Sequence, residues 1–317
     1  MRPKAVEEFS PLFWPVGLTG NVISVLDETA LPGKLVFLKV RNYREACSAI
    51  KEMKTRAVGQ VLLVFYTFEL VLKQGKGKKN LIPTLTRVAE AINQTRPTFP
   101  FAFLTGMVLN WARQSQSLQE NITGYLEKIR TERIRQAKRA SELMDDGDTV
   151  LTHCNVSGLL PLVGRFCREE KKEIHFMVAE TRPYLQGSRL TAWELKRQGF
   201  DVTVVTDSTV AHLMEQGMVT KVLVGADQLA RNGDIANKIG TYQIAILAHH
   251  FEIPFYVMCP PATRAATGKE ITIEIRPDRE LLEFNGVRLA PAGVKGYYPS
   301  FDITPGHLIT KHIPLEL

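Results

Sequence analysis

Cysteine is scarce in this sequence: four occur in 317 residues, at Cys47, Cys154, Cys167 and Cys259. No two stand in a CxxC pair, which argues against a disulfide framework and a zinc ribbon. Any one of them remains a candidate for a single reactive thiol. Long apolar runs are also missing. The most apolar stretch, Val61 to Leu72, carries Glu69 and falls short of the roughly 20 residues that cross a bilayer. It reads as a buried helix. The opening residues Met1-Arg2-Pro3-Lys4, followed by Glu7 and Glu8, put no apolar stretch behind a basic cap. A cytoplasmic protein without a signal peptide is therefore expected. HExxH is absent, so His249 and His250 read as a helix end rather than as metal ligands.

Charge of one sign is not concentrated either. The net charge of +7 suits an anionic substrate, but basic and acidic residues alternate along most of the chain. The exceptions are Lys76-Gly77-Lys78-Lys79 and the stretch from Lys128 to Arg139. Neither has the interleaved aromatics of a nucleic-acid surface, so they are read as a solvated loop and a solvated helix face. What is present is ordinary globular material, 44% hydrophobic and 23% charged, in a length that suits two domains.

The two halves differ in pattern. Val22 to Val25 and Leu35 to Leu38 flank Pro32-Gly33 and read as a hairpin. Helical spacing follows through Ala46, Ile50 and Met53, recurs at Leu85, Val88 and Ile92, and ends in a long helix from about Leu118 to Met144. Beyond Asp145-Asp146-Gly147-Asp148 short apolar runs alternate with helical segments. The runs are Thr149 to His153, Ile174 to Ala179, Val202 to Val205, Val222 to Val224 and Phe255 to Met258. The segments between them are Gly158 to Lys171, Ser188 to Gln198, Val210 to Gln216 and Ala236 to His250. This is the pattern of a parallel sheet with crossover helices. The expected fold is α/β: a helical domain with a small β element over 1–145, then a Rossmann-like, mostly parallel sheet domain over 146–317. No GxGxxG turn is present, so nothing supports a dinucleotide.

Ligands of such sheets bind beyond the carboxyl ends of the strands. Those ends read His153-Cys154-Asn155, Glu180-Thr181-Arg182, Thr206-Asp207-Ser208, Gly225-Ala226-Asp227 and Cys259. A thiol, carboxylates and a guanidinium are thus expected on one edge. Gln186-Gly187-Ser188 and Asn237-Lys238 each read as a helix start, where N–H groups and a cation favour phosphate.

Longer segments carry a resemblance. Glu180 to Leu195, Gly225-Ala226-Asp227 and Asn232 to Tyr242, with Leu26 to Thr29, Thr95 to Thr98, Thr152 to Asn155 and Phe301 to Pro305, resemble the methylthioribose-1-phosphate isomerases. Their wider family includes ribose-1,5-bisphosphate isomerases and regulatory subunits of the translation-initiation guanine-nucleotide exchange factor. The resemblance covers nearly the whole chain. It implies Cys154 and Asp227 as the catalytic pair, and Arg56, Arg96, Gln186, Asn237 and Lys238 on the substrate. It also implies a homodimer with no metal or organic cofactor. From the charge pattern and the short apolar runs, neither nucleic acid nor membrane is expected as a partner. The family's arginine-glycine-alanine-proline-alanine motif falls at Arg56-Ala57-Val58-Gly59-Gln60, where the arginine is kept. Asn155-Val156-Ser157-Gly158 also departs from the family's pattern, and the segment from Cys154 to Glu180 is shorter than usual. These departures leave the C5 substituent of the sugar open.

The implied chemistry is an aldose–ketose isomerisation. A sugar phosphorylated at C1 has no free aldehyde, so its ring C1–O4 bond breaks with acid help. Asp227 is the expected donor, since apolar walls at the end of Val222 to Ala226 favour a protonated carboxyl. Hydrogen then passes from C2 to C1 by hydride shift or through an enediol, with Cys154 assisting. Arg56 and Arg96 suit a bidentate clamp on phosphate, and Lys238 adds a point charge. The expected reaction is S-methyl-5-thioribose 1-phosphate to S-methyl-5-thioribulose 1-phosphate, in methionine salvage. The alternatives are ribose 1,5-bisphosphate, 5-deoxyribose 1-phosphate or a non-catalytic exchange-factor subunit.

Overall fold

The computed structural model describes residues 10–75, 77, 80–96, 99–114 and 117–317. The opening residues 1–9, Lys76, Lys78 and Lys79 of the basic loop, and Pro97 and Thr98 lie outside them. The chain divides into two compact units, Met1–Thr131 and Glu132–Leu317.

In the first unit β1 (Val16–Thr19), β2 (Val22–Leu26) and β3 (Phe37–Val40) form an antiparallel sheet. The expected hairpin is the β2–β3 pair, with Val25 opposite Leu38. Helices α1 (Tyr43–Lys51), α2 (Val58–Gln74), α3 (Ile82–Asn93) and α4 (Phe101–Gln114) follow, then α5 (Leu118–Ser141), in which the division point falls. Asn42 starts α1: its side chain accepts from the N–H groups of Arg44 and Glu45, while Glu45 takes the Arg41 N–H at 2.6 Å. That reciprocal arrangement satisfies amides the first turn leaves open. The apolar run of the sequence is α2. It is apolar on every side because it is surrounded, with Leu62, Leu63, Val64, Phe65, Phe68 and Leu70 fully buried. Phe65 meets the rings of Tyr125 at 5.1 Å and Trp111 at 6.4 Å.

The second unit is built on β4 (Thr149–Thr152), β5 (His175–Ala179), β6 (Val202–Val205), β7 (Lys221–Gly225), β10 (Phe255–Cys259) and β16 (Lys311–Pro314). Between β7 and β10 lie β8 (Gln228–Leu229) and β9 (Ile235–Lys238). After β10 come β11 (Ile275–Arg276), β12 (Glu283–Phe284), β13 (Val287–Arg288), β14 (Tyr298–Pro299) and β15 (Phe301–Thr304). The six-stranded sheet is parallel throughout, in the order β16-β10-β7-β4-β5-β6. Renumbered along the chain, this is the 3-2-1-4-5-6 order of a Rossmann sheet, with its reversal between β4 and β7. The crossover helices are α6 (Leu160–Glu169), α7 (Ala192–Arg197), α8 (Val210–Glu215) and α9 (Thr241–His250), and a short α10 (Arg279–Leu282) follows later.

Side chains alternate across the sheet, and the helices follow suit. Leu151, Met177, Val222 and Val257 join Leu213, Met214, Ile244 and Ala248 of α8 and α9 in one core. Phe176 leaves β5 the other way and meets Phe200 edge-on at 5.7 Å. A Cβ at Gly164 of α6 would run into that same Phe200 ring. Burying a ring of Phe176's size contributes roughly 2–3 kcal/mol.

Four expectations need correction. Asn237-Lys238 does not start a helix: both lie in β9, paired antiparallel to β15, with Asn237 opposite Asp302. The segment expected to be helical from Ala236 becomes so only at Thr241, after Gly240 at φ +102°. The long helix ends at Ser141 rather than Met144. The Lys128 to Arg139 stretch is not simply a solvated face, because Glu132, Arg133 and Gln136 are buried. The sequence reading also missed β16 and the small β8-β9-β15 sheet.

Candidate active site

β4 and β7 are hydrogen-bonded neighbours, with Leu151 opposite Val222. Cys154 follows β4 by two residues and Asp227 follows β7 by two. Both therefore leave the carboxyl ends of adjacent parallel strands at the reversal of strand order, where doubly wound sheets bind ligands. Of the four cysteines Cys154 alone is not buried. Burial pushes the thiols of Cys167 and Cys259 up to about 11 and raises that of Cys47. Cys259, expected on the same edge, is the buried last residue of β10.

Cys154 sits at φ +65°, in the left-handed region that a side chain makes costly. Its N–H donates to the Thr181 hydroxyl at 2.9 Å, and its carbonyl accepts from the Thr191 hydroxyl at 2.6 Å. Asn155 donates to Thr191 at 3.0 Å and to the Glu194 carboxylate at 2.8 Å. Arg133 donates to the Ser157 carbonyl at 2.5 Å. Burial pulls this guanidinium down to about 10, against the attraction of Glu194.

Thr181 belongs to a loop gripped by Asp207, whose carboxylate accepts from the N–H groups of Thr181 at 2.8 Å and Arg182 at 2.7 Å. His153 is buried beneath it. Its Nε2 lies 2.9 Å from the Ile239 carbonyl oxygen, which can only accept, so that nitrogen carries the proton. Burial holds the ring below the ordinary imidazole range, with Asp207 opposing. The Arg182 guanidinium, expected at the ligand edge, donates to the carbonyls of Pro183 and Leu281. Burial and Asp207 raise Glu180 above the usual carboxylate range, against Arg182.

Gln186 is 3% exposed, and its Oε1 has no hydrogen-bond partner within the described residues. A buried amide oxygen without a donor costs about 1–3 kcal/mol, which a ligand hydroxyl would offset. Asn237 and Lys238 come beside Asp227 through β9: the Asp227 N–H donates to the Ala236 carbonyl at 2.9 Å. Asn237 donates to the Thr241 hydroxyl at 3.0 Å. Lys238 donates to the Ser300 carbonyl at 2.9 Å, and its Nζ lies 4.9 Å from the centre of the Phe301 ring. No helix N-terminus therefore stands at Lys238 to favour phosphate. What remains is a buried ammonium on the strand beside Asp227.

Arg56 and Arg96 belong to the first unit. Arg56 precedes α2 and is held by Glu28, which accepts from its backbone N–H at 2.9 Å and its Nε at 3.1 Å. Arg96 donates to Gln60 Oε1 at 2.9 Å, in the first turn of α2. The two guanidinium-bearing residues are therefore gathered at one helix N-terminus, a setting that favours an anion. The sequence reading missed Glu28, Thr191, Glu194 and Arg133 as parts of these arrangements. Glu28 and Thr191 lay within recognised motifs, whereas Arg133 had only its basic neighbours as a signal.

The chain matches known proteins along nearly its whole length. The Initiation factor 2 subunit family model matches residues 60–314. A methylthioribose-1-phosphate isomerase of Fervidobacterium nodosum is 38% identical, over 93% of this chain and 91% of the relative. The crystal structure of 5-methylthioribose 1-phosphate isomerase from Pyrococcus horikoshii superposes with a TM-score of 0.84 at 28% identity, covering 98% of this chain and 93% of that one. That of translation initiation factor eIF-2B, subunit delta, from A. fulgidus gives 0.81 at 36%, covering 95% and 94%. By sequence and by fold, this chain belongs to the initiation factor 2 subunit family, the family of the methylthioribose-1-phosphate isomerases.

Proposed function

We propose that this chain is an aldose–ketose isomerase that converts S-methyl-5-thioribose 1-phosphate into S-methyl-5-thioribulose 1-phosphate, a step of methionine salvage. The observation that carries the reading is the placement of Cys154 and Asp227 beyond adjacent strands at the reversal of the sheet, in a chain 38% identical to a methylthioribose-1-phosphate isomerase. We assign catalysis to residues 146–317, with 1–145 as the helical domain, and expect a cytoplasmic homodimer.

In this reading Asp227 protonates the ring oxygen O4 as the C1–O4 bond breaks. The positive charge left at C1 is shared with the phosphate ester oxygen. Hydride moves from C2 to C1 as the 2-hydroxyl loses its proton, or C2 loses a proton first and C1 regains one through an enediol. In both routes the atoms of substrate and product are the same, and no outside electron acceptor is needed. Cys154 assists at C2. Gln186 and Asn237 offer amides to sugar hydroxyls and Lys238 offers its charge to the phosphate; the family resemblance assigns Arg56 and Arg96 to the substrate as well. Holding that end fixes the orientation of C1 and C2.

The test offers the purified protein methylthioribose 1-phosphate, 5-deoxyribose 1-phosphate and ribose 1,5-bisphosphate and follows ketose formation. Turnover of the first supports the proposal, and preference for another moves the substrate while keeping the reaction. Cys154→Ala and Asp227→Asn should each lower kcat by about a thousandfold with the fold intact. Wild-type rates in either variant would remove that residue from the chemistry. A second reading, a non-catalytic subunit, draws on the 36% identity to the initiation-factor subunit of A. fulgidus. No ketose from any of the three sugars would favour it.

A further inference from the structure

The main chain of Cys154 is held in an unusual way. The β4–β5 ladder ends at Thr152, opposite Val178, and does not reach Cys154. At φ +65° the residue occupies a backbone state that is adverse for any side chain and persists only where the surroundings over-determine it. Two hydroxyls are part of those surroundings. Thr181 accepts from the Cys154 N–H at 2.9 Å, and Thr191 donates to the Cys154 carbonyl at 2.6 Å.

Both threonines are 0% exposed, so water does not substitute for either. Each hydroxyl is also fixed from behind. Thr181 donates its proton to the Ala179 carbonyl at 3.0 Å, which leaves its lone pairs for the Cys154 N–H. Thr191 gives its proton to Cys154 and accepts from Asn155, which is itself tied to Glu194. The two come from different elements, the loop after β5 and the helical turn Gly187–Thr191 that leads into α7. A valine at either position would keep the shape and lose the bond. The chemistry therefore resides in the hydroxyls.

We propose that Thr181 and Thr191 are positioning residues for the isomerisation, clamping the N–H and C=O of Cys154 to hold its strained backbone and thereby its thiol in the reactive setting. The inference rests on the isomerase reading and on Cys154 as a participant. Neither threonine is assigned contact with the sugar. Their loss should lower the chemical step more than binding.

The experiment compares Thr191→Val, Thr191→Ser and Thr181→Val with the wild type in two assays, with a thermal melt to report folding. The first is kcat and KM on methylthioribose 1-phosphate. The second is the pH profile of iodoacetamide alkylation at Cys154, read from the mass of its peptide. Cys47, Cys167 and Cys259 are buried, which favours a clean signal. Expected for both valine variants are a kcat lower by about 10- to 100-fold, a KM within about twofold, and an altered alkylation profile. Thr191→Ser, which keeps the hydroxyl, should restore both readouts. Wild-type kcat and alkylation in the valine variants would overturn the proposal. So would a serine variant as impaired as the valine one, since methyl packing would then be the cause. Should Thr181→Val fail to fold, the contrast between valine and serine at 191 decides. A wild-type chain inert toward all the sugars would end the isomerase reading, and the alkylation arm would still report whether the hydroxyls position the thiol.

Discussion

Two single residues carry conformational or electrostatic loads that can be measured. Ala57 stands at φ +43°, ψ −118° before α2, at the position where the family's motif has glycine. A Cβ in that conformation costs about 1–2 kcal/mol, and glycine's extra unfolded-state freedom recovers only part of the difference. Ala57→Gly should therefore stabilise the chain by about 1 kcal/mol, visible as a higher urea midpoint at constant slope; an unchanged or lower midpoint would refute the strain. Asp302 is the other case. Burial pushes its carboxyl up to about 6, although N–H donors at Gly240 and Tyr242 and the charge of Lys238 pull it down. The folded chain thus holds this proton more tightly than the unfolded chain does. The resulting stabilisation is complete below the ordinary carboxylate range and is lost as pH rises through about 6, a loss of at most about 3 kcal/mol. The stability of wild type minus Asp302→Asn should accordingly fall between about pH 4 and 6.5. A difference that stays flat in urea titrations over that range would reject the assignment.

At the scale of elements, local chemistry explains the starts of some helices and not of others. Asn42 and Glu45 cap α1 from within its own sequence, so that start was legible. The cap of α9 is Asp302, whose carboxylate takes the Gly240 N–H at 2.7 Å and the Tyr242 N–H at 3.2 Å from sixty residues away. That is why Asn237-Lys238 was misread: their spacing is compatible with a helix, and only pairing with β15 makes them strand. The turn Gly187–Thr191 ends on the hydroxyl that donates to the Cys154 carbonyl. Gly187 lies so close to β5 that an added Cβ would overlap the Ala179 carbonyl oxygen. Gly187→Ala should cost about 2–4 kcal/mol and displace Gln186 and Thr191. Denaturant midpoint and KM would both change; a variant with neither altered would mean the turn yields easily.

At the scale of the molecule, distant segments meet through groups that look unremarkable in sequence. Gln136, in a stretch that reads as solvated, donates to the carbonyls of Cys259 at 3.0 Å and Ile313 at 2.7 Å, the ends of β10 and β16. Gln136→Leu would remove the donor from two strand-end carbonyls, at a cost of about 1–3 kcal/mol measured by calorimetry; a smaller loss would show that water reaches them. The sequence alone was enough for the α/β class, five of the six parallel strands, and the edge on which Cys154 and Asp227 stand. Those follow from apolar periodicity and from the rule that ligands meet the carboxyl ends of strands, both local or topological in origin. It also carried the family, through motifs spread along the chain. Only the tertiary structure decided the strand order, the buried role of Arg133 and Gln136, the strand at Lys238 and the threonine clamp on Cys154. Each of these depends on a hydrogen bond or pairing between residues far apart along the chain. No local propensity encodes such a partner, because its energy exists only once the rest of the fold has brought the two groups together.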